Sequence, residues 1–243
     1  MKFPDPLIRG RLVKRYKRFM ADVELEGGTV VTAHCANSGS MLSVNEPGAE
    51  VWISPARNPD RKLKFTWEMI RIGRTLVGLN TSLPNAIVAE AISTGRIPEL
   101  AGYASLRREV KYGENSRIDI LLESDGPNNG DKCYVEVKSV TMKRDLGKDA
   151  PVEFPDAVTT RGAKHLVELA NMVKDGHRAV MLYLAQRADS PGFAIAADID
   201  PEYGIGLIAA RAAGVEVLCY GCTLTKRNIT VTGRIPFLGP LAF

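Results

Sequence analysis

No run of about 18 or more uncharged apolar residues occurs in this 243-residue chain, so no segment reads as a membrane-spanning helix and no membrane partner is expected. The opening Met1-Lys2-Phe3-Pro4-Asp5-Pro6 lacks the apolar core of a signal peptide, which points to a cytoplasmic protein. Cysteine is scarce. Cys35, Cys133, Cys219 and Cys222 are too few and too irregularly spaced for a disulfide framework and read as reduced thiols. Cys219-Tyr220-Gly221-Cys222 is a lone CxxC with no second pair to complete a tetrahedral zinc site, so it reads as strand and turn filling. A phosphate-binding glycine loop and any sugar-specific constellation are missing too, which argues against an enzyme of sugar conversion.

What the chain does have is positive charge, unevenly placed. The formal net charge is only +4, yet residues 1 to 82 hold 13 Lys or Arg against 8 Asp or Glu. Arg9, Arg11, Lys14, Arg15, Lys17 and Arg18 form a dense cluster opposed nearby only by Asp5. Such a cluster suits a phosphate backbone, because bound Lys and Arg release condensed counterions and give salt-dependent binding with little sequence preference. A solvated strand face would look the same. At about 100 to 200 residues per domain the length fits two domains, divided here as 1–82 and 83–243.

Residues 7 to 80 read as β-rich, with strands expected over Leu7 to Leu25, Thr29 to Ala33, Glu50 to Ser54, Lys64 to Ile72 and Thr75 to Leu79. Turn residues at Gly27-Gly28, Glu46-Pro47-Gly48, Arg57-Asn58-Pro59-Asp60 and Gly73 separate them. Five short strands suggest an OB-like barrel, a fold that binds oligonucleotides on an open face. Of Tyr16, Phe19, Trp52, Phe65 and Trp67, more are expected in the core than on a stacking surface. His34-Cys35 could bind metal, but strand neighbours face opposite ways, so a loop braced by Asn37 and Ser38 is the reading there.

Residues 84 to 94 read as a helix, with Pro84 in its first turn and Gly95 past its end. Strands follow over Arg107 to Tyr112, Arg117 to Glu123 and Lys132 to Thr141, with turns at Gly113-Glu114-Asn115 and at 125–130. A helix then runs from about Thr160 to Asp175, with Leu166, Leu169, Ala170 and Val173 at helical spacing, before a strand over Arg178 to Ala185. A last helix is expected near Pro201 to Ala213, with strands near Val215 to Leu224 and Asn228 to Val231. The order α-β-β-β-α-β makes the strands carrying Asp119 and Tyr134-Val135-Glu136-Val137-Lys138 sheet neighbours.

Glu136 and Lys138 then share one strand face and Asp119 lies beside them. Two carboxylates so close repel and are costly to desolvate unless a cation compensates them. A hard divalent ion would do so, since such ions take one or two carboxylates plus waters and phosphates. Lys138 would then stabilise the charge that builds on a phosphodiester under attack. A surface hairpin with a Glu–Lys pair would show the same residues. Asp119, a gap of 16 residues, then Glu136-x-Lys138 resembles the motif of the PD-(D/E)xK nucleases, with Ile118 where that motif has proline.

Longer blocks carry a closer resemblance. Arg15 to Phe19, His34 to Met41, Glu109 to Gly113, Ser116 to Asp119, Val135 to Thr141 and Phe154 to Gly162 with His165-Leu166 resemble the sugar fermentation stimulation protein A family. The resemblance implies an α/β, more strictly α+β, fold. It has an N-terminal OB-like β-barrel followed by a restriction-endonuclease-like PD-(D/E)xK domain. It implies non-specific DNA binding, with Mg²⁺ or Mn²⁺ held by Asp119, Glu136 and the Val137 carbonyl, and Lys138 as the catalytic lysine. Glu90 on the first helix, or Glu109, is the expected further acid. Arg161, Lys164 and His165, at the start of the helix after the Glu-x-Lys strand, are expected to meet the nucleic acid. The function expected is metal-dependent hydrolysis of DNA phosphodiester bonds. The alternative is a non-catalytic DNA-binding regulator of sugar, notably maltose, metabolism.

Overall fold

Apolar residues recur at alternate positions between Ile8 and Gly78, and the chain forms six strands there: β1 (Ile8–Tyr16), β2 (Met20–Leu25), β3 (Val30–His34), β4 (Glu50–Pro55), β5 (Phe65–Ile72) and β6 (Thr75–Gly78). They belong to a computed structural model that describes residues 1–113, 116–125 and 131–240. The turns expected at 114–115 and 126–130 fall outside the described residues. The strand order is β3-β2-β1-β4-β5-β6, and a parallel pairing of β3 with β5 closes the first five strands into a barrel. Leu12, Val23, Val51, Ile53 and Trp67 fill it.

The strand expected over Leu7 to Leu25 is instead a hairpin. Lys17 and Arg18 both take left-handed backbone, φ 46° and 64°, in the turn between β1 and β2. Such turns normally announce themselves with Asn or Gly, and this one carries neither.

The second body contains α1 (Pro84–Ser93), β7 (Ser105–Tyr112), β8 (Ser116–Glu123), β9 (Lys132–Val140), β10 (Val152–Phe154), α2 (Thr160–Lys174), β11 (Arg178–Ala185), β12 (Phe193–Ile195), α3 (Pro201–Ala212), β13 (Glu216–Leu224), β14 (Ile229–Arg234) and β15 (Phe237–Pro240). The expected order α-β-β-β-α-β is present as α1, β7, β8, β9, α2, β11. Six of the strands form one mixed sheet, β14-β13-β11-β9-β8-β7, in which β11 runs parallel to both β9 and β13. Its central strand β11 is covered on both faces, which is why Ala179 to Ala185 is a continuous, almost entirely apolar run. Ile87, Val88 and Ala91 of α1 pack on one face, and Leu166, Leu169, Tyr203 and Leu207 of α2 and α3 on the other. A second sheet, β10-β12-β15, was not expected, because strands of three or four residues are too short to show a period.

Two caps fix the helices beside the site. The Thr159 hydroxyl accepts the Gly162 N–H at 3.1 Å, starting α2. Asp200 accepts the Tyr203 N–H at 3.0 Å, starting α3, and with its other oxygen the Thr159 N–H at 2.8 Å. One buried carboxylate therefore sets the starts of both helices, where a side-chain cap is worth about 1 kcal/mol.

The two bodies share a core. Trp52 of β4 and Met69 of β5 point out of the barrel into the cluster beneath α1. The Gly78 N–H donates to the Gln186 carbonyl at 2.9 Å. Met1 to Phe3, in the stretch assigned to the barrel, lie along the second body, where Phe3 N–H donates to the Arg227 carbonyl at 2.9 Å. The four cysteines are free and buried. Cys219 and Cys222 belong to clusters on opposite faces of the sheet, so they cannot share a metal ion. Among the described residues no helix is long and apolar enough to cross a membrane.

Candidate metal centre and nucleic-acid cleft

The sheet opens where the candidate acids lie. Pairing of β8 with β9 runs from Glu123 and Lys132 to Ile120 and Val135 and stops there. Beyond that point the Asp119 side chain replaces the neighbouring backbone, its Oδ2 accepting the Val137 N–H at 2.8 Å. The N–H and C=O of a strand residue face the same edge, so the Val137 carbonyl is also turned toward the gap.

Glu136 is only 2 % exposed. Its Oε1 accepts the Lys138 ammonium at 2.8 Å and a short hydrogen bond from His165 Nδ1. Its Oε2 is buried with no partner. On the far side of the ring Arg161 Nε donates to His165 Nε2 at 3.3 Å, which places the ring proton on Nδ1, facing Glu136. Burial pushes the Glu136 carboxyl up, but the His165 hydrogen bond and the Lys138 charge outweigh it and hold it below the usual range. Asp119 goes the other way. Burial and the neighbouring Glu136 charge push it up to about 6, against the hydrogen bonds from Val137 and Asn85.

The structure thus brings Asp119, Glu136 and Lys138 together. An unpartnered buried carboxylate oxygen next to an acid that resists ionising is an arrangement a cation would relieve. The donors are all oxygen, which suits a hard divalent ion. Among the described residues no group of three His, Cys, Asp or Glu forms a ready cage. Hard ions with few protein ligands commonly complete their shell with water and phosphate, so this donor set still fits one.

Glu90 lies apart from these groups. Its carboxylate takes the Met1 ammonium at 2.7 Å and is half exposed. It follows Asn85 by five residues, about 140° round a helix of 3.6 residues per turn, and so leaves the face that Asn85 gives to the site. Glu109 lies closer, joined to Asp119 through Asn85. The Asn85 amide donates to Asp119 Oδ1 at 2.8 Å and to Glu109 Oε1 at 2.7 Å. Glu109 sits at φ 55°, a left-handed conformation that interrupts the β7–β8 pairing opposite Asp119. Asn85 went unnoticed in the sequence; its one signal is its place in the first turn of the helix beside the motif.

Asn85, Asp119, Glu136, Lys138 and His165 form part of the floor and walls of a cleft of about 450 Å³. Thr81, Pro84 and Asn85 make one wall, and Phe154 to Thr159 with Arg161 and His165 make the other. Arg18, Asn37, Ser38 and Gly39 reach in from the barrel.

The expected phosphate-binding residues divide accordingly. Arg18 and Arg161 line the cleft, and Lys17 is exposed in the turn beside Arg18. Arg9 pairs with Glu50, Arg11 donates to the Gly48 carbonyl at 3.1 Å, and Lys14 lies 3.9 Å from Asp22, all on the barrel away from the cleft. Arg15 is committed to structure, since its guanidinium ties the carbonyls of Arg18, Asn37, Gly39 and Ser40. Lys164 turns to Glu168 at 3.5 Å, outside the cleft lining. His165 is buried against Glu136 and positions it; helix spacing alone could not distinguish this from an exposed phosphate contact.

Comparison with known proteins agrees with this architecture. Residues 13–79 match the SfsA N-terminal OB domain and residues 82–228 the sugar fermentation stimulation protein RE domain. The chain is 62 % identical to the sugar fermentation stimulation protein homolog of Rhodospirillum rubrum over 99 % of its length and 100 % of the relative. It is 59 % identical to the homolog of Paramagnetospirillum magneticum over 94 % of both chains. Among solved structures, that of Pyrococcus furiosus SfsA in complex with Ca²⁺ superposes with a TM-score of 0.85 at 25 % identity, covering 98 % of this chain and 97 % of that one. A barrel and an opened endonuclease-like sheet, in the order of both family domains, place this chain in the sugar fermentation stimulation protein family.

Proposed function

We propose that the protein binds DNA without sequence preference and hydrolyses its phosphodiester bonds at the Asp119, Glu136 and Lys138 centre with Mg²⁺ or Mn²⁺. The observation that carries this reading is the buried, unpartnered Oε2 of Glu136 beside an Asp119 whose pKa is raised to about 6. The Pyrococcus furiosus relative was solved in complex with Ca²⁺, which supports a divalent ion for this chain as well.

When bound, the ion supplies a water of lowered pKa and neutralises charge on the phosphate. This chain's own groups do the rest. Asp119 and Glu136 present oxygens, with the Val137 carbonyl on the same edge. Asn85 and the Val137 N–H hold Asp119 in its rotamer, and His165 holds Glu136. Lys138 keeps an ammonium at the floor of the cleft, where it meets charge developing on the scissile phosphate. Arg18 and Arg161 hold the backbone from the two sides.

A specific contact favours the alternative, a DNA-binding regulator that does not cut. Lys138 lies on Glu136 Oε1 at 2.8 Å, as it would in a purely structural ion pair. Labelled DNA incubated at low salt with Mg²⁺, Mn²⁺ or chelator separates the two. Hydrolysis by wild type that needs metal, and that disappears in Asp119→Asn and Lys138→Ala while binding persists, supports the nuclease. Intact DNA in every reaction, with wild type and variants binding equally, leaves the regulator.

A further inference from the structure

The loop from Ala36 to Met41 is fastened to both walls of the cleft. On the α1 side the Thr81 N–H donates to the Ala36 carbonyl at 3.0 Å, and the Asn37 amide to the Leu79 carbonyl at 3.3 Å. On the α2 side the Ser40 hydroxyl donates to the Asp156 carbonyl at 2.6 Å, and the Met41 N–H to the Asp156 carboxylate at 2.9 Å. Gly39 passes so near this wall that a Cβ there would lie 2.5 Å from an Asp156 carboxylate oxygen. Arg15 grips the loop through its Asn37, Gly39 and Ser40 carbonyls. It is therefore a braced strap rather than a free flap, and floor, walls and strap close that side of the cleft.

A stiff duplex, with a persistence length of about 50 nm, does not bend into a trough closed on one side. The cleft volume of about 450 Å³ falls among sites that enclose one drug-sized molecule, room for roughly one or two nucleotides. An unpaired strand turns within that length and can enter.

The mouth agrees with this. Arg18 stands in its left-handed turn with Nε on the Ser38 carbonyl at 2.7 Å and its guanidinium lining the cleft. Next to it Phe19, 46 % exposed, lies just outside the cleft lining with the Arg18 guanidinium 5.9 Å from its ring centroid, and across the cleft Val158 is 73 % exposed. Cations for phosphates beside exposed aromatic and apolar side chains for base faces is the composition of single-strand sites, and a duplex hides its base faces.

We infer that this cleft takes an unpaired nucleic-acid strand and refuses a continuous duplex, an inference that rests on the proposed nuclease site and names its substrate class. The test measures binding of the full chain carrying Lys138→Ala, in Ca²⁺ at fixed salt, to a labelled single strand, its blunt duplex and a duplex with a single-stranded flap. Cleavage of the same three by wild type in Mg²⁺ is measured in parallel.

The strand and the flap are expected to bind about tenfold or more tighter than the blunt duplex, with cuts confined to unpaired segments. Asp156→Ala, which removes the Met41 anchor and leaves the Ser40 bond to the backbone carbonyl of residue 156, should loosen the strap on the α2 side and narrow that ratio. Phe19→Ser, an exposed position that does not threaten folding, should weaken strand binding and leave duplex binding unchanged. Equal affinity for strand and blunt duplex in the Lys138→Ala protein overturns the inference, as does Phe19→Ser leaving the ratio untouched. A preserved strand preference with no cleavage of any substrate removes the hydrolytic reading and supports the strand-selective cleft.

Discussion

Among single residues, the centre is two carboxylates pushed in opposite directions. Asp119 is raised to about 6, so in the metal-free protein its ionisation costs stability, fully above pH 6 and not at all below its ordinary value of 3.8. Glu136 is lowered, so its contribution stabilises above the ordinary carboxylate range and is lost as pH falls through its depressed value. A cation bound at the proposed centre would have to displace the Asp119 proton in acid. Affinity for Mg²⁺ or Ca²⁺ is therefore expected to fall about tenfold per pH unit below about 6 and to level off above it, which calorimetric titration from pH 5 to 8 would check. A flat profile would remove Asp119 from the proposed metal centre. His165 acts through Glu136, and loss of such a positioning partner costs about 10- to 100-fold in metal affinity. His165→Ala should show that loss with single-strand affinity retained, measured by metal titration and by strand binding; unchanged metal affinity would make His165 a packing residue.

Among the helices and strands, the site depends on how α2 begins. Thr159 caps that helix and Asp200 holds the Thr159 N–H while capping α3, so the two starts move as one. Asp200→Ala removes an acceptor of two N–H groups from a buried place, and is expected to cost about 2 to 4 kcal/mol in denaturant unfolding. Thr159→Ala should cost about 1 kcal/mol. Equal losses would mean that Asp200 serves α3 alone. The β1–β2 turn is the other element the site depends on, because it carries Arg18 to the mouth of the cleft. Arg18→Ala should lower the slope of log affinity against log salt by about one contact, whereas Arg9→Ala, away from the cleft, should leave it unchanged.

Across the full chain, the shared core beneath α1 makes barrel and sheet one cooperative unit. Trp52 and Met69 leave the barrel to pack there, and the strap and Asp156 join the bodies again at the cleft. Denaturant unfolding followed by tryptophan fluorescence and by far-ultraviolet circular dichroism should give one coincident transition. Trp52→Ala, expected to cost about 3 to 5 kcal/mol, should lower the stability of the whole chain and not of the barrel alone. Two separated transitions in wild type would show that the bodies fold independently.

Local periodicity and strand alternation, both written in the order of amino acids, were enough to set a barrel followed by the order α1, β7, β8, β9, α2, β11 and the grouping of Asp119, Glu136 and Lys138, but not the split of β1 from β2 or the short strands β10, β12 and β15. The ends of α1 and α2 were legible too, since proline and glycine leave a local signal there. Long-range partnerships emerged only with the packed chain. Glu90 is taken by the chain's own first residue, Arg15 by four carbonyls and His165 by Glu136, and no spacing in the sequence encodes which partner a side chain finds. The Lys17-Arg18 turn was hidden because its left-handed backbone is built without the Asn or Gly that would mark it in the sequence. The strap from Ala36 to Met41 shows the same division. Its turn-prone residues were legible, but its anchoring to Leu79 and Thr81 on one wall and to Asp156 on the other exists only once barrel and sheet have met.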